Sequence, residues 1–240
     1  MTSPPRRFLL ALERFNDAHP WDHNAHYHRW IMRQLPGRFR RALDVGSGSG
    51  DLARLLATRG EEVLGIDSDP VITARARELT PAASRAAFTV ADGLSGLPAG
   101  PYDVITCVAT LHHLPFSDAL TGFRRRLAPG GTLVVVGLFR ARTFGDHLLG
   151  AAAVPLNAAT GWLRNGGRRA AARPEAMTAR TRPAEMSFGD IVAEARVVLP
   201  GARLRRRLFW RYTLVWRRPG PRRAGTVRSR GRRCSSAAGR

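Results

Sequence analysis

The residues best suited to chemistry lie in a glycine-rich loop near the start of the chain. Residues 43–50 read Leu-Asp-Val-Gly-Ser-Gly-Ser-Gly, between an apolar run and an amphipathic segment. Glycine lets the backbone turn tightly and approach a ligand closely, and a helix N-terminus offers unpaired N–H groups. The pattern therefore indicates a strand, a ligand-binding loop and a helix, an arrangement that also suits a dinucleotide.

Three aspartates, Asp44, Asp67 and Asp92, end the first three apolar runs in turn. Each alone could be a helix-capping or surface carboxylate. Together at successive strand ends, where parallel sheets bind their ligands, they indicate a binding site for a polar ligand. The glycine spacing is G-x-G-x-G, and Asp51 stands where a dinucleotide fingerprint has its third glycine. This spacing disfavours an NAD(P)-dependent oxidoreductase.

The elements that must position these residues alternate between short apolar strands and amphipathic helices. Nearly continuous Val, Ile and Leu are typical of parallel strands covered on both faces. Between the strands, helices are predicted over 51–59, from a cap at Asp69 with Pro70 in first position, and over 117–127. The five predicted strands are Arg41–Val45, Glu62–Asp67, Ala87–Ala91, Tyr102–Val108 and Thr132–Leu138.

The sequence of residues 187–217 predicts one more helix and two more strands. Ser187 and Asp190 have capping-box spacing at the start of a helix that runs to Leu199. Predicted strands 202–210 and 212–217 have almost no residues between them, so they must pair antiparallel. The fold class is therefore α/β, with a mostly parallel sheet that has one antiparallel strand near its edge.

In the order and spacing of its motifs, the chain resembles class I S-adenosylmethionine-dependent methyltransferases. The resemblance covers residues 37–139 strongly and 185–217 by pattern only, and it implies a Rossmann-like, doubly wound, seven-stranded sheet. The nearest subtype is the small-molecule group that includes quinone-biosynthesis enzymes. The matching motifs are the Asp-x-Gly-x-Gly-x-Gly loop, Gly65-Ile66-Asp67, Ala91-Asp92-Gly93, Tyr102-Asp103-Val104-Ile105, Leu111-His112-His113-Leu114 and Leu127-Ala128-Pro129-Gly130-Gly131.

The resemblance implies S-adenosylmethionine as the cofactor and a role for each motif residue. Asp67 can accept hydrogen bonds from both ribose hydroxyls. Asp92 suits the adenine amino group, and Asp44 suits the cationic methionine end. Val108 would line the methyl-donor pocket. The cofactor-binding residues are thus predicted to be Asp44, Gly46, Ser47, Gly48, Asp67, Ser68, Asp92, Gly93 and Val108.

Catalysis is assigned to His113, just past the fourth strand, as a general base for the acceptor. The alternative is that one residue of the His112-His113 pair packs under the sheet and the other is an exposed loop residue. Cys107 is predicted to be a core thiol. The chain lacks the Pro-Cys pair and the Asn/Asp-Pro-Pro-aromatic loop of enzymes that methylate nucleic-acid bases, which argues against that activity.

The chain divides into a helical lid (1–36), a methyltransferase domain (37–218) and a disordered basic tail (219–240). Within the domain, the irregular segment 140–184 is predicted to cap the acceptor pocket. The lid is dense in His and Trp and is predicted to pack over the cofactor, with Tyr27 or a His touching substrate. No Cys or paired carboxylate supports a metal site, so no metal is predicted.

The predicted function is methyl transfer to a small-molecule acceptor, and the arginine-rich capping segment suits an anionic or membrane-associated one. The formal net charge is +21 and every cationic residue is Arg, which favours anionic partners. An RNA-associated methyltransferase and a non-catalytic cofactor-binding protein remain alternatives. With no apolar stretch long enough to span a membrane and no signal-peptide core, the expected location is the cytoplasm.

Overall fold

A seven-stranded sheet organises the computed structural model, which describes residues 6–172 and 182–220. The strand order is β3-β2-β1-β4-β5-β7-β6, and β7 runs antiparallel to both of its neighbours. All the other pairings are parallel, which confirms the predicted fold class. The strands are β1 Phe39–Val45, β2 Gly60–Asp67, β3 Ala86–Val90, β4 Tyr102–Val108, β5 Leu127–Leu138, β6 Arg203–Arg207 and β7 Arg211–Arg217.

In the described part of the chain, seven α-helices accompany the sheet, with a short 3-10 turn at Leu111–His113 after β4. The first two precede β1, the next three connect the parallel strands, and the last two lie between β5 and β6. The helices are α1 Arg6–Ala18, α2 Ala25–Gln34, α3 Asp51–Leu56, α4 Pro70–Glu78, α5 Phe116–Arg126, α6 Phe144–Arg164 and α7 Phe188–Val198.

Successive strand residues supply two separate cores, one on each face of the sheet. Leu43 and Ile105 pack in a cluster with α5 and α7, whereas their neighbours Ala42 and Val104 pack in a cluster with α2, α3 and α4. Because side chains alternate across a strand, a strand covered on both faces must be apolar at every position. This explains the nearly unbroken apolar runs of the sequence.

Both predicted helix caps are present. The Asp69 carboxylate accepts a hydrogen bond from the Val71 N–H at 2.8 Å, at the start of α4. Ser187 and Asp190 form a reciprocal capping box at the start of α7. The predicted helix 51–59 is too long, because α3 ends at Leu56 and Gly60 already belongs to β2.

The prediction of an irregular segment over 140–184 is wrong for its first half, which forms the 21-residue helix α6. A capping box of Thr143 and Asp146 starts this helix, and Pro155 lies inside it. The helix was missed because its outer face carries apolar residues in place of polar ones, so the usual alternation is absent. Residues 173–181 of that segment lie outside the described residues, as do residues 221–240 of the predicted tail.

Strand β6 is also shorter than predicted, since it ends at Arg207 and not at 210. A three-residue turn follows, in which Phe209 and Trp210 have φ values of 60° and 56°. This left-handed backbone is unfavourable for bulky residues and persists only where packing holds it. Phe209 is buried against Trp21, with ring centroids 4.9 Å apart, so its burial offsets the strain.

Candidate active site

A cavity of about 840 Å³ opens at the carboxyl ends of the parallel strands. Loops after β1, β2, β3 and β4 form its walls, together with residues that precede α2 and residues of β7. The structure brings all ten predicted site residues to this one cavity: Asp44, Gly46, Ser47, Gly48, Asp67, Ser68, Asp92, Gly93, Val108 and His113. Their individual roles stay predictions.

The glycine loop has a left-handed backbone that is unfavourable for other residues. Gly46 and Gly48 have φ values of +71° and +51°. A Cβ atom added to Gly46 would lie 1.9 Å from Oγ1 of Thr110, so no side chain fits there. The Gly46 and Ser47 N–H groups both donate to the Ile66 carbonyl, at 2.8 and 2.9 Å. These bonds tie the loop to the end of β2.

Asp67 is held by the backbone on both of its carboxylate oxygens. The Gly48 N–H donates to Oδ2 at 3.0 Å, and the Asp69 N–H donates to Oδ1 at 3.0 Å. A carboxylate has about four acceptor positions, so these two bonds orient it and leave capacity for ligand hydroxyls. The geometry suits a ribose diol beside the glycine loop.

Asp92 serves as a turn residue as well as a cavity residue. Its Oδ1 accepts from the Ser95 N–H at 2.7 Å, the Leu94 N–H at 3.0 Å and the Ser95 hydroxyl at 2.9 Å. These bonds, with the backbone N–H of Ser95 foremost, hold the pKa of this carboxyl below its ordinary value. The side chain is exposed and stays ionised at the cavity wall.

Asp44 differs from the other two acids because it is buried, with 2% of its surface exposed. The Thr106 hydroxyl donates to its Oδ1 at 2.7 Å. Burial, reinforced by repulsion from Asp67, raises the pKa of Asp44 to about 7. A cationic ligand group placed beside it would favour the ionised form, so ligand binding and proton release are coupled at this residue.

His112 and His113 lie side by side on the turn after β4, with ring centroids 4.0 Å apart. His112 is half-buried and His113 is exposed, and both line the cavity. Burial, the neighbouring His113 and the charge of Arg211 lower the pKa of His112 to about 4. Burial and the charge of Arg182 lower the pKa of His113 as well. Both imidazoles are therefore neutral near pH 7 and able to accept a proton.

Six further residues of the cavity wall come from distant parts of the chain, and sequence reasoning missed four of them: Asp22, Asn24, Leu138 and Arg211. Two signals could have been used: Asp22 and Asn24 are typical N-cap residues just before α2, and Arg211 follows the predicted hairpin turn. The other two, His28 and Arg182, belong to the histidine-rich lid and the arginine-rich segment that were expected to reach the acceptor. Of the expected contacts by Tyr27 or a His, the one by Tyr27 has no support, because its hydroxyl donates to the Leu208 carbonyl at 2.8 Å and it is absent from the cavity wall.

The His- and Trp-rich stretch before α2 packs on α6 and on the turn after β6. The Trp21 Nε1–H donates to Oδ1 of Asn157 at 3.0 Å, and His23 Nε2 shares a hydrogen bond with the same oxygen at 2.6 Å. His26 packs edge-on against Phe209. Within 6–172 and 182–220, no three potential metal-ligating side chains come together.

The donor set fits S-adenosylmethionine, which combines a ribose, an adenine and two cationic groups. Asp67 suits the ribose hydroxyls, and the exposed Asp92 lies one strand further along for the base. The open space beside Gly48 lets a ligand approach the backbone closely, and the buried Asp44 offers an anion to the cationic end.

Comparisons with known proteins agree with this geometry. Residues 43–135 match a family described as a methyltransferase domain. An uncharacterized methyltransferase of Mycobacterium tuberculosis is 31% identical over 203 residues, which cover 83% of this chain and 98% of that protein. The ribosomal RNA large subunit methyltransferase G of Streptomyces coelicolor is 40% identical over 122 residues, covering 45% of this chain and 32% of that protein.

Among solved structures, the N-methyltransferase NodS of Bradyrhizobium japonicum, in complex with S-adenosyl-L-homocysteine, has the same fold. It superposes with a TM-score of 0.54 at 21% identity, covering 88% of this chain and 97% of NodS. The full-length relative and the matched domain place the chain in a family, and the oxidoreductase alternative is excluded. The chain belongs to the class I S-adenosylmethionine-dependent methyltransferases, and S-adenosylmethionine is its cofactor.

Proposed function

We propose that this enzyme transfers the methyl group of S-adenosylmethionine to a small-molecule acceptor that carries an anionic group. The observation that supports the proposal best is Arg211, a half-buried cation in the cavity wall. Among the described residues, no carboxylate lies within ion-pair distance of it. A desolvated cation without a counter-ion favours a ligand that supplies one.

The hydrogen bonds of Arg211 leave part of its guanidinium unused. Nη1 donates to the Phe209 carbonyl and Nη2 donates to Oδ1 of Asn24, both at 3.3 Å. Its Nε is buried and has no partner among the described residues. Asp22 is the nearby acid that faces this region, but its Oδ1 already accepts from the Asn24 and Ala25 N–H groups. The planar fork of Arg211 therefore remains suited to a carboxylate or similar anion.

Further basic residues line the cavity with Arg211, beside the acid Asp22. Arg182 comes from the segment before α7, and His28 comes from α2. Burial lowers the pKa of His28, so this imidazole is neutral at pH 7. Arg211 comes from β7, whereas the three acids assigned to the cofactor follow β1, β2 and β3. An acceptor held by Arg211 would thus use different residues from those assigned to the cofactor.

The proposed reaction is direct displacement. S-adenosylmethionine supplies an electrophilic methyl group on a sulfonium, and the acceptor heteroatom forms a bond to that carbon as the carbon–sulfur bond breaks. The electron pair of that bond stays on sulfur, which yields S-adenosylhomocysteine. Neutral His113 takes the proton that the acceptor heteroatom loses. The remaining contribution of the chain is to orient the two reactants and keep water out.

Several finer assignments belong to the same proposal. Residues 1–36 act as a lid, residues 37–218 form the catalytic domain, and the subtype is that of the small-molecule, quinone-biosynthesis-like enzymes. The size of the cavity supports a small acceptor, since it falls within the usual range for small-molecule sites. An RNA acceptor is the second candidate, because one relative is a ribosomal RNA methyltransferase, although the match covers only 45% of this chain.

Methyl-labelled S-adenosylmethionine tests the proposal against a panel of aliphatic and aromatic carboxylic acids, phenols, quinols, neutral amines and ribosomal RNA. We expect label in an anionic small molecule, with the acceptor KM raised at least about tenfold in Arg211→Gln and partly restored in Arg211→Lys. Affinity for S-adenosylhomocysteine is the control and should stay unchanged. Label only in RNA or in neutral amines, with Arg211→Gln as active as the parent, would overturn the proposal.

A further inference from the structure

The outer face of α6 is apolar and exposed along its whole length. Phe144, Leu148 and Leu163 are 83%, 62% and 67% exposed, and Trp162 and Leu156 are 47% and 44% exposed. At 100° per residue these positions fall on one side of the helix, together with small or apolar residues between them. The result is an apolar strip about 30 Å long, at 1.5 Å per residue. We call it the α6 strip.

The opposite side of α6 is the one that packs on the protein. Ala153 is fully buried beside Trp21 and Phe209, and a Cβ atom on Gly161 would lie 2.3 Å from the His19 carbonyl. The buried Asp146 pairs with Arg206 at 2.8 Å. The helix is thus fixed to the body of the protein by its inner side, and the α6 strip faces outward.

The segments that the structure leaves undescribed have too few large apolar side chains to cover this surface. Residues 1–5, 173–181 and 221–240 contain Met1, Met177 and Val227 as their large aliphatic residues. The remainder of these segments is mostly Arg, Gly, Ala, Ser, Thr and Pro. These three segments therefore do not supply the occupant of the α6 strip.

Arginines lie before and after the α6 strip in sequence, and exposed acids are missing from it. Arg140 and Arg142 precede the helix, and both are exposed. Arg164, its last residue, is also exposed, but its guanidinium lies 5.1 Å from the centroid of the Trp21 ring on the inner side of the helix. Arg168 and Arg169 follow, also exposed. Asp146 is the single acid in 140–172, and it is buried. A second copy of this surface would bring two arginine clusters together, so charge disfavours a dimer and favours an anionic occupant.

A large exposed tryptophan belongs to the α6 strip. Trp162 lies at the same angle around the helix as Phe144 and is 47% exposed. Trp210 instead packs on the opposite side of α6, since a Cβ atom on Gly150 would be 3.3 Å from its Nε1. Tryptophan is enriched at the boundary of lipid and water because its ring is apolar and its N–H is polar.

From these observations we infer that α6 docks on the surface of an anionic lipid bilayer. The helix lies parallel to the bilayer, with the α6 strip in the headgroup–acyl boundary and the arginines against lipid phosphates. No described helix is long and apolar enough to cross a membrane, which agrees with attachment to one leaflet. The inference rests on the surface alone, so its failure would leave the proposed acceptor class intact.

Co-sedimentation of the full chain with vesicles tests the inference. The vesicles are pure phosphatidylcholine or an equimolar mixture of phosphatidylcholine and phosphatidylglycerol. We expect binding to the mixture, and at least about tenfold weaker binding for the double variant Leu148→Glu/Leu163→Glu. Val197→Glu is the matched control, because Val197 is an apolar residue of α7 with 80% exposure and lies outside the α6 strip. It should bind as the parent does.

Equal melting temperatures and equal affinity for S-adenosylhomocysteine show that each variant is folded. High salt should weaken binding without abolishing it, because the apolar part of the contact is insensitive to screening. Unchanged binding by the double variant would assign the vesicle contact to the arginine-rich tail and overturn the inference. A dimer that the double variant dissociates, together with no vesicle binding by the parent, would overturn it equally.

Discussion

Two sets of residues in the cavity wall differ in charge. The set beside the glycine loop, here called the acidic end, carries Asp44, Asp67 and Asp92. The set around Arg211, here called the basic end, carries Arg182 and neutral imidazoles, with the acid Asp22 beside them. A donor with a sulfonium and an ammonium is attracted to the first end, and an anionic acceptor is attracted to the second. One cavity can therefore hold two reactants in a fixed order without a wall between them. The charge of each reactant disfavours binding beside the residues that attract the other.

The two ends also differ in how the chain builds them. The acidic end comes from strand ends and the loops that directly follow them. The basic end combines the turn after β4, Arg182 before α7 and the first residue of β7, which are far apart in sequence. Variants at each end should therefore affect different measurements, and the following predictions test that separation.

The largest effect is expected for Gly48→Val at the acidic end. A β-branched residue is strained at φ +51°, and moving the loop displaces the N–H that orients Asp67. We expect affinity for S-adenosylhomocysteine to fall by more than about 100-fold in titration calorimetry. Gly130→Val is the matched control, since Gly130 has φ +82°, open space around it and no place in the cavity wall. Equal affinity losses in the two variants would contradict the loop assignment.

A smaller effect, confined to turnover, is expected for His113→Asn at the basic end. Loss of a general base lowers kcat by about 100-fold or more for the acceptor found with the labelled methyl group. Affinity for S-adenosylhomocysteine should not change. The rate of the parent enzyme should fall at low pH, where His113 is protonated. This acidic limb of the pH profile should be absent from the variant. A variant that keeps the limb would show that another group takes the proton.

Asp67→Asn should weaken cofactor binding by about 10- to 100-fold, or about 1.5–3 kcal/mol, because bonds to a charged acceptor are lost. Asp103→Asn provides the control, since Asp103 also accepts two backbone N–H bonds, from Arg40 and Arg41 at 2.9 and 3.0 Å, at the far end of β4. That variant should lose stability without losing affinity. An unchanged cofactor affinity in the folded Asp67→Asn variant would contradict the assignment of Asp67 to the ribose hydroxyls.

The smallest effect is a pH dependence at Asp44. Because burial raises its pKa to about 7, the folded protein without cofactor holds this proton more tightly than the unfolded chain does. Stability should thus fall as pH rises from about 4 to 7, and affinity for the cationic cofactor should rise by up to about tenfold per pH unit below 7. Calorimetry between pH 6 and 8 measures this. Asp44→Asn should flatten the curve, and a curve of unchanged slope would contradict the coupling.

The features that the sequence predicts correctly are those set by neighbouring residues. The glycine loop, the Asp69 cap and the Ser187 capping box each depend on residues a few positions apart, so a pattern reveals them. The turn before Arg211 is visible in the sequence, but its place in the cavity wall is not, because that depends on β7 inserting between β5 and β6. Helix α6 was predicted to be irregular because its outer face is apolar. Helices on a protein surface are normally recognised by polar residues on the outer face, and α6 lacks that pattern.

The pairing of Leu138 with Arg211, between β5 and β7, ties acceptor recognition to strand register. Strand side chains alternate between faces, so an insertion of one residue in the turn before β7 would place a different side chain at the cavity and turn Arg211 away. The glycine loop, on the other side of the sheet's centre, would be untouched. A lineage could therefore exchange one acceptor for another through small changes in the length of a single hairpin, while the inherited donor site stays constant.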